Sequence, residues 1–492
     1  MTRDETVALF LECEAKRAAT QAQGLSEGKS EILAVAHSYE AAQAHWNAWA
    51  ESLLAERKAM EADGRWAAEK GRCGKLEPQN EETRAWMTKA AADLSRCRFL
   101  TPGADGAKAE QESSRPFPPV RSIELEGWCI YFHGFIFPGD TSFNGAAFSG
   151  GADFWAATFS GTADFAGASF SSGVKFGNAR FSGTADFSGA TFSGEADFGA
   201  TFSDTANFIG AAFSGDVRFG GAYFYGKANF VFAAFSGRAD LGSLFFSYAE
   251  FTGVTFQSST SFAWARFKDE ARFMRIRADR AFDMRDAEFA YVPWFDQADF
   301  KQAPNLDGVS FPIPSFWHAG PALHITSYRA LRRMANQSAD FERAQMALKG
   351  ETRSKRGTGH KPWHAAFWFG IAYDALSDFG RSIARPLAIW LGSAIAFAAI
   401  YFWNAGARLS EWLSPCDGDG ISKALKAITL SAANALPLIG SSRSEEAKTF
   451  YTCLGLQHAP AWSPILQIGQ TLWSAVLLFL FLLALRNQFK IK

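Results

Sequence analysis

Phenylalanine recurs at positions 143, 148, 154, 159, 165, 170, 176, 181, 187, 192 and 198, at intervals that alternate between five and six residues. An amphipathic helix repeats its apolar residues every three or four positions, and a half-buried strand every second one. Neither gives this spacing. One unit reads Ala163-Asp-Phe-Ala-Gly, then Ala168-Ser-Phe-Ser-Ser, with Gly173 as an extra residue. The eleven-residue unit continues to about Phe300, with slips near 199–202 and 246–251. A fixed period of this kind means that one core residue type is reused along a repeat. The composition carries the same bias, since 48 Phe and 43 Gly stand against 10 Tyr.

The order small, polar, Phe, small, small resembles the pentapeptide-repeat family over roughly residues 140–300. That resemblance implies a right-handed quadrilateral parallel β-helix, placed with its caps at 120–320. In such a coil the central Phe154, Phe165, Phe176, Phe187 and Phe198 point inward, as does the Ala two residues before each Phe. Gly and Ser after the Phe accept the turn conformations. With one residue gained per pair of sides, a coil takes about 22 residues. About seven coils at the cross-strand spacing of roughly 4.8 Å make a rod roughly 35 Å tall.

The residue before each Phe faces outward and stacks every second unit. One column reads Asp153, Lys175, Asp197, Arg218, Asp240, with alternating sign. The other reads Asp164, Asp186, Asn207, Asn229, Glu250, Arg272. Alternation relieves like-charge repulsion between coils, and each exposed pair contributes about 0–1 kcal/mol. We read these columns as a solvated structural surface.

Residues 1–100 read as an α-helical hairpin or bundle. They have no apolar leader, which places this part in the cytoplasm. Trp46, Trp49 and Leu53 share a helix face, Asp63-Gly64 ends that helix, and Asn80 caps a third. Residues 101–119 are a polar, Pro-rich linker.

After the repeat, residues 321–385 read as amphipathic and interfacial helices. One helix is expected over 326–350, followed by the basic run Arg353-Ser-Lys355-Arg356 and an aromatic belt over 362–373. The last part, 386–492, reads as a transmembrane domain with spans at about 386–403 and 464–485. Basic flanks put both termini in the cytoplasm and the loop 404–463 outside, by the positive-inside rule.

Between the spans lies a short helix at about 421–436. Span, half-helix, Gly-containing turn, span looks like a two-transmembrane potassium-channel pore, with the half-helix re-entrant-like. The filter position reads Asn434-Ala-Leu-Pro437-Leu-Ile-Gly440 and lacks the carbonyl-presenting run that potassium selectivity needs. Selective potassium conduction is therefore not carried over. A degenerate pore or a helical anchor is what the order implies. Cys416 and Cys453 are the only cysteines of the loop and form a candidate disulfide in an oxidising compartment.

A metal or nucleophile motif is missing throughout: there is no HExxH, GxSxG or P-loop, and Lys361-Pro362 breaks any helix that would pair His360 with His364. We expect no catalysis, no cofactor and no metal. The formal charge of -1 excludes a generically basic nucleic-acid binder. A DNA-mimicking inhibitor wants a continuous negative rod, which the mixed columns do not supply. The expectation is a scaffold or protein-interaction module of a bacterial inner membrane. Its partners would be the lipid bilayer and an unidentified protein. A channel-like homo-oligomer is the alternative.

Overall fold

The computed structural model describes residues 3–26, 31–70, 76–95, 97–100, 121–124, 129–315, 324–356, 363–404, 413–416, 422–436, 443–454, 456 and 462–489. The chain divides into two compact units, Met1–Pro312 with Thr326–Ala344, and Ile313–Ile325 with Gln345–Lys492.

The first unit is a parallel β-solenoid of about eight turns. Its strands of two to four residues form four parallel sheets, here sheets I to IV in chain order from Cys129–Tyr131, Ile136–Phe137, Thr141–Ser142 and Ala147–Phe148. Successive partners lie one coil apart: Ala152 pairs with Val174, Val174 with Ala196, and Ala196 with Val217. The central Phe154, Phe165, Phe176, Phe187 and Phe198 are fully buried, as are Ala163, Ala185 and Ala196. Phe154 stacks on Phe176 of the next coil with ring centroids 4.8 Å apart and meets Phe165 of its own coil edge-on at 5.5 Å. Coil spacing and ring stacking thus share one repeat distance, so a planar ring suits the position. Burial of each contributes about 1.5–3 kcal/mol.

Two corners of each regular coil carry a residue in the left-handed region. Gly167, Gly189 and Gly210 hold it freely, while Ala156, Phe232 and Trp264 hold it at φ 55, 56 and 63°. The slips are deletions at this kind of corner. At an ordinary one, the Ala157 amide donates to the Phe154 carbonyl at 3.1 Å; at the short ones, Ala200 donates to Phe198 at 2.6 Å and Ser243 to Leu241 at 2.8 Å. The second slip therefore lies at 241–245 and not at 246–251. The solenoid also starts earlier than expected. Ala92–Asp93 joins sheet III, and Cys97–Leu100 with Arg121–Glu124 joins sheet IV. The linker 101–119 lies outside the described residues.

Helices close both ends of the solenoid and cover strand edges that would otherwise template pairing with another chain. Helix α1 (Arg3–Ser26) and α2 (Glu31–Ala62) lie at one end. Trp46 of α2 donates to the Ile136 carbonyl at 2.8 Å and stacks on Phe135, and Phe10 of α1 meets Phe132. Helix α3 (Glu81–Ala90) begins at Asn80, whose side chain accepts from the Thr83 amide at 2.8 Å. At the other end Tyr328 of α4 (His324–Gln337) donates to the Pro312 carbonyl at 2.7 Å. The single helix expected over 326–350 is two: α4, then α5 (Phe341–Lys355). Ala339 turns left-handed at φ 55°, and Asp340 accepts from the Arg343 amide to start the second helix.

The second unit holds the end of α5, α6 (Ala365–Ser377), α7 (Ala384–Asn404), α8 (Lys423–Ala435), α9 (Arg443–Cys453) and α10 (Ser463–Phe489). Two of these, over Ala384–Trp403 and Ser463–Arg486, are long and apolar enough to cross a membrane. Ser422 caps α8, which at about 20 Å is too short to do so. Helix α9 was not legible beforehand. Its signal is Glu445 and Glu446 in the first turn, favourable at a helix N-terminus.

Candidate interaction surface

The outward columns are real neighbours. Asp153, Lys175, Asp197, Arg218 and Asp240 are consecutive partners on sheet I. Asp164, Asp186, Asn207, Asn229, Glu250 and Arg272 are consecutive partners on sheet III. What the acidic and amide side chains do is local. Asp153, Asp164, Asp186 and Asp197 each accept from the backbone amide two residues on, at 2.9, 2.9, 2.9 and 3.0 Å. Asn207 and Asn229 do the same at 3.3 Å. These are Asx turns that satisfy the corner. The preference for Asp or Asn before the Phe follows from that bond, which Lys175 and Arg218 cannot make. Arg218 instead pairs with Glu195 at 2.7 Å, where both side chains are exposed.

A family model described as Pentapeptide repeats (9 copies) matches residues 154–200. Residues 154–200 are pentapeptide repeats. No curated protein and no solved structure matches the chain. The pentapeptide-repeat solenoid continues past the matched segment on both sides with the same register.

Sheet II breaks the rule that outward positions are small or polar. Its column runs Thr158, Arg180, Thr201, Tyr223, Leu244, Arg266, Glu288. Tyr223 and Tyr225 flank the buried Phe224, and Leu244 and Phe246 flank the buried Phe245 of the next coil. Tyr223, Tyr225 and Phe246 are 44, 50 and 39% exposed, and Tyr225 stacks on Phe246 at 4.5 Å. Arg266 and Lys268 follow one coil further on, where both approach Glu288, at 3.5 and 4.0 Å. Periodicity does not reveal this aromatic block with its charged edge, because outward Tyr, Leu and Phe leave the spacing of the inward Phe unchanged. The residues either side of Phe224 and Phe245 were the available signal.

In the second unit Cys416 and Cys453 are joined as a disulfide with Cα atoms 5.1 Å apart. Asn434, at the end of α8, is fully buried and donates to the Leu430 carbonyl at 3.0 Å and the Tyr401 hydroxyl at 3.4 Å. Tyr401 of α7 donates to Gln470 of α10 at 2.8 Å, and Gln470 donates back to the Ser431 carbonyl of α8 at 2.9 Å. This buried polar network ties the half-helix to both long helices. Within this chain Asn434 is packed between the half-helix and the long helices. Pro437 and Gly440 lie outside the described residues. Among the described residues no cluster of three or more His, Cys, Asp or Glu could hold a metal ion.

Proposed function

We propose that this chain is a membrane-anchored pentapeptide-repeat scaffold that holds a protein partner on sheet II. In this reading α7 and α10 cross the inner membrane of a bacterium, both termini are cytoplasmic, and the 404–463 loop is outside. The solenoid is right-handed and four-sided, and α8 enters the membrane only part-way. Neither catalysis nor a nucleic-acid partner belongs to this reading.

The observation that carries it is that Tyr223, Tyr225 and Phe246 stack on one another across two coils of sheet II, whereas Phe232 and Trp264, also exposed, stand at corners. Exposed aromatics on a rigid frame bury much area at little entropic cost, and interface centres are enriched in them. Arg266, Lys268 and Glu288 would form the polar rim.

A photo-crosslinking residue at Tyr225, compared with one at Thr191 on sheet IV, tests this in native membranes. A discrete adduct from position 225 and none from 191 is expected. No adduct at 225, or the same adducts at both, overturns the reading.

A further inference from the structure

Helix α6 is inside out for a helix in water. Its exposed positions are Ala365, Ala366, Trp368, Phe369, Ala372 and Ala375, with Trp368 and Phe369 at 61 and 74%. Its buried residues are Asp374 and Ser377.

The carboxylate faces inward because α5 supplies cations there. Arg353 donates from Nε and Nη2 to the two carboxylate oxygens of Asp374, each at 2.8 Å. Arg356 donates from Nη2 to Asp374 Oδ2 at 2.8 Å and to the Gly370 carbonyl at 2.7 Å. Lys349 pairs with Asp378 just beyond the helix. There the chain reverses through three left-handed residues in a row, Asp378, Phe379 and Gly380, at φ 52, 56 and 78°. Phe379 is buried under the Arg356 guanidinium, 5.9 Å from its ring centre. A non-glycine residue adopts that conformation only against a steric penalty. The ion-pair cluster and the buried ring are what hold the reversal in place.

Thirteen residues make α6 about 20 Å long, short of the ~30 Å hydrocarbon layer. It packs against both α7 and α10. Those helices show the same kind of exposed apolar surface, Leu391 and Ile395 on one and Ile468 and Leu472 on the other. One medium has to suit all three. Asp374, the one acidic or basic side chain of α6, is neutralised from within, so its outer face carries no charge.

We infer that α6 lies in the plane of the membrane interface, with Trp368, Phe369 and its alanine face set at the boundary between headgroups and acyl chains. This rests on the reading of α7 and α10 as spans. An in-plane helix of this kind binds by apolar area and by aromatic rings at headgroup level. It would give the anchor a third lipid contact, at the point where α5 leads into the membrane domain.

The full chain, with Cys13, Cys73, Cys97 and Cys129 replaced by Ala, is reconstituted into phosphatidylcholine vesicles. It carries one nitroxide label at a time, at 365, 368, 369, 372 or 375. Collision with dissolved oxygen and with a water-soluble nickel chelate reports depth. Labels at Ile395 and Phe479 serve as span controls, and one at Thr191 as the aqueous control. The expected result is oxygen access above chelate access at 368, 369 and 372, with 365 and 375 at one depth to within about one helix radius of 5 Å. If the α6 labels match Thr191 while Ile395 and Phe479 lie in hydrocarbon, the in-plane helix is wrong and the anchor stands. A steady increase in depth from 365 to 375 also overturns it. If Ile395 and Phe479 are aqueous as well, the anchor itself falls.

Discussion

Ala278 is the sheet partner of Phe256, and Phe282, four residues on, fills the room that the missing ring leaves, 5.9 Å from Phe256. The two residues have exchanged the large and small positions of the repeat. Both are 1% exposed.

That exchange predicts non-additivity. Ala278→Phe alone overpacks the core, at about 1–3 kcal/mol. Phe282→Ala alone leaves a cavity, at about 3–5 kcal/mol. The double variant restores the regular pattern and should lose less than Phe282→Ala alone. Denaturant unfolding of the three variants gives the coupling. Simple addition of the two losses would show that the positions are independent.

The turn role of the outward Asp separates two readings of Asp186. Its neighbours in the column are Asp164 and Asn207. A charge ladder would welcome Asp186→Lys. The Asx turn, in which Asp186 accepts from the Ser188 amide, predicts a loss of about 0.5–1.5 kcal/mol for Lys and near neutrality for Asn. Phe187→Asp, one residue on and fully buried, should cost several kcal/mol and open the solenoid to limited proteolysis. Greater stability with Lys than with Asp would restore the ladder.

The solenoid was legible because its core is coded by size: one ring every five or six residues leaves little choice of period. The deletions were visible as irregular spacing, but the second could not be placed. Leu241 stands where a Phe would mark the corner, so the count slid to the next Phe pair. The outward Asp was legible as outward and not as a hydrogen-bond acceptor, since both roles put the same residue at the same place. The break at Ala339 and helix α9 were hidden because short-range capping sets them, with no change in apolar period. The disulfide partners could be named from the loop alone. The buried network of Tyr401, Asn434 and Gln470 could not, since it needs three separate helices to converge.

Asp374 gives a pH signature. Burial pushes its carboxyl upward, but the hydrogen bonds and charges of Arg353 and then Arg356 outweigh it and hold the pKa below the ordinary 3.8. A depressed carboxyl contributes stability that is complete above its unfolded value and fades as the pH falls through the folded one. Asp374→Asn should therefore cost about 3–5 kcal/mol at neutral pH, because two buried cations lose their partner. Thermal midpoints in detergent should show the gap between wild type and variant closing below pH 4. A gap that does not narrow at all between pH 4 and pH 2 would mean that the loss comes from packing and not from charge.

The cysteines fall into two chemical groups. Cys13 and Cys97 are both buried, and burial, helped by Glu14 and Glu12, pushes the Cys13 thiol up to about 12. A thiolate is the reactive form, so Cys13 should resist alkylation in the folded protein and react once it unfolds. Cys416 and Cys453 should resist in both states until a reductant is added. The bridge joins positions 37 apart in sequence, which the chain-entropy relation values at roughly 3–4 kcal/mol. Cys453→Ser should then lower the stability of the α8–α9 region by that order and leave the solenoid unchanged, as hydrogen exchange can report region by region. Mass spectrometry of alkylated, non-reduced protein taken directly from membranes decides the matter. Modified thiols at both 416 and 453 would remove the bridge and, with it, the placement of the loop in an oxidising compartment.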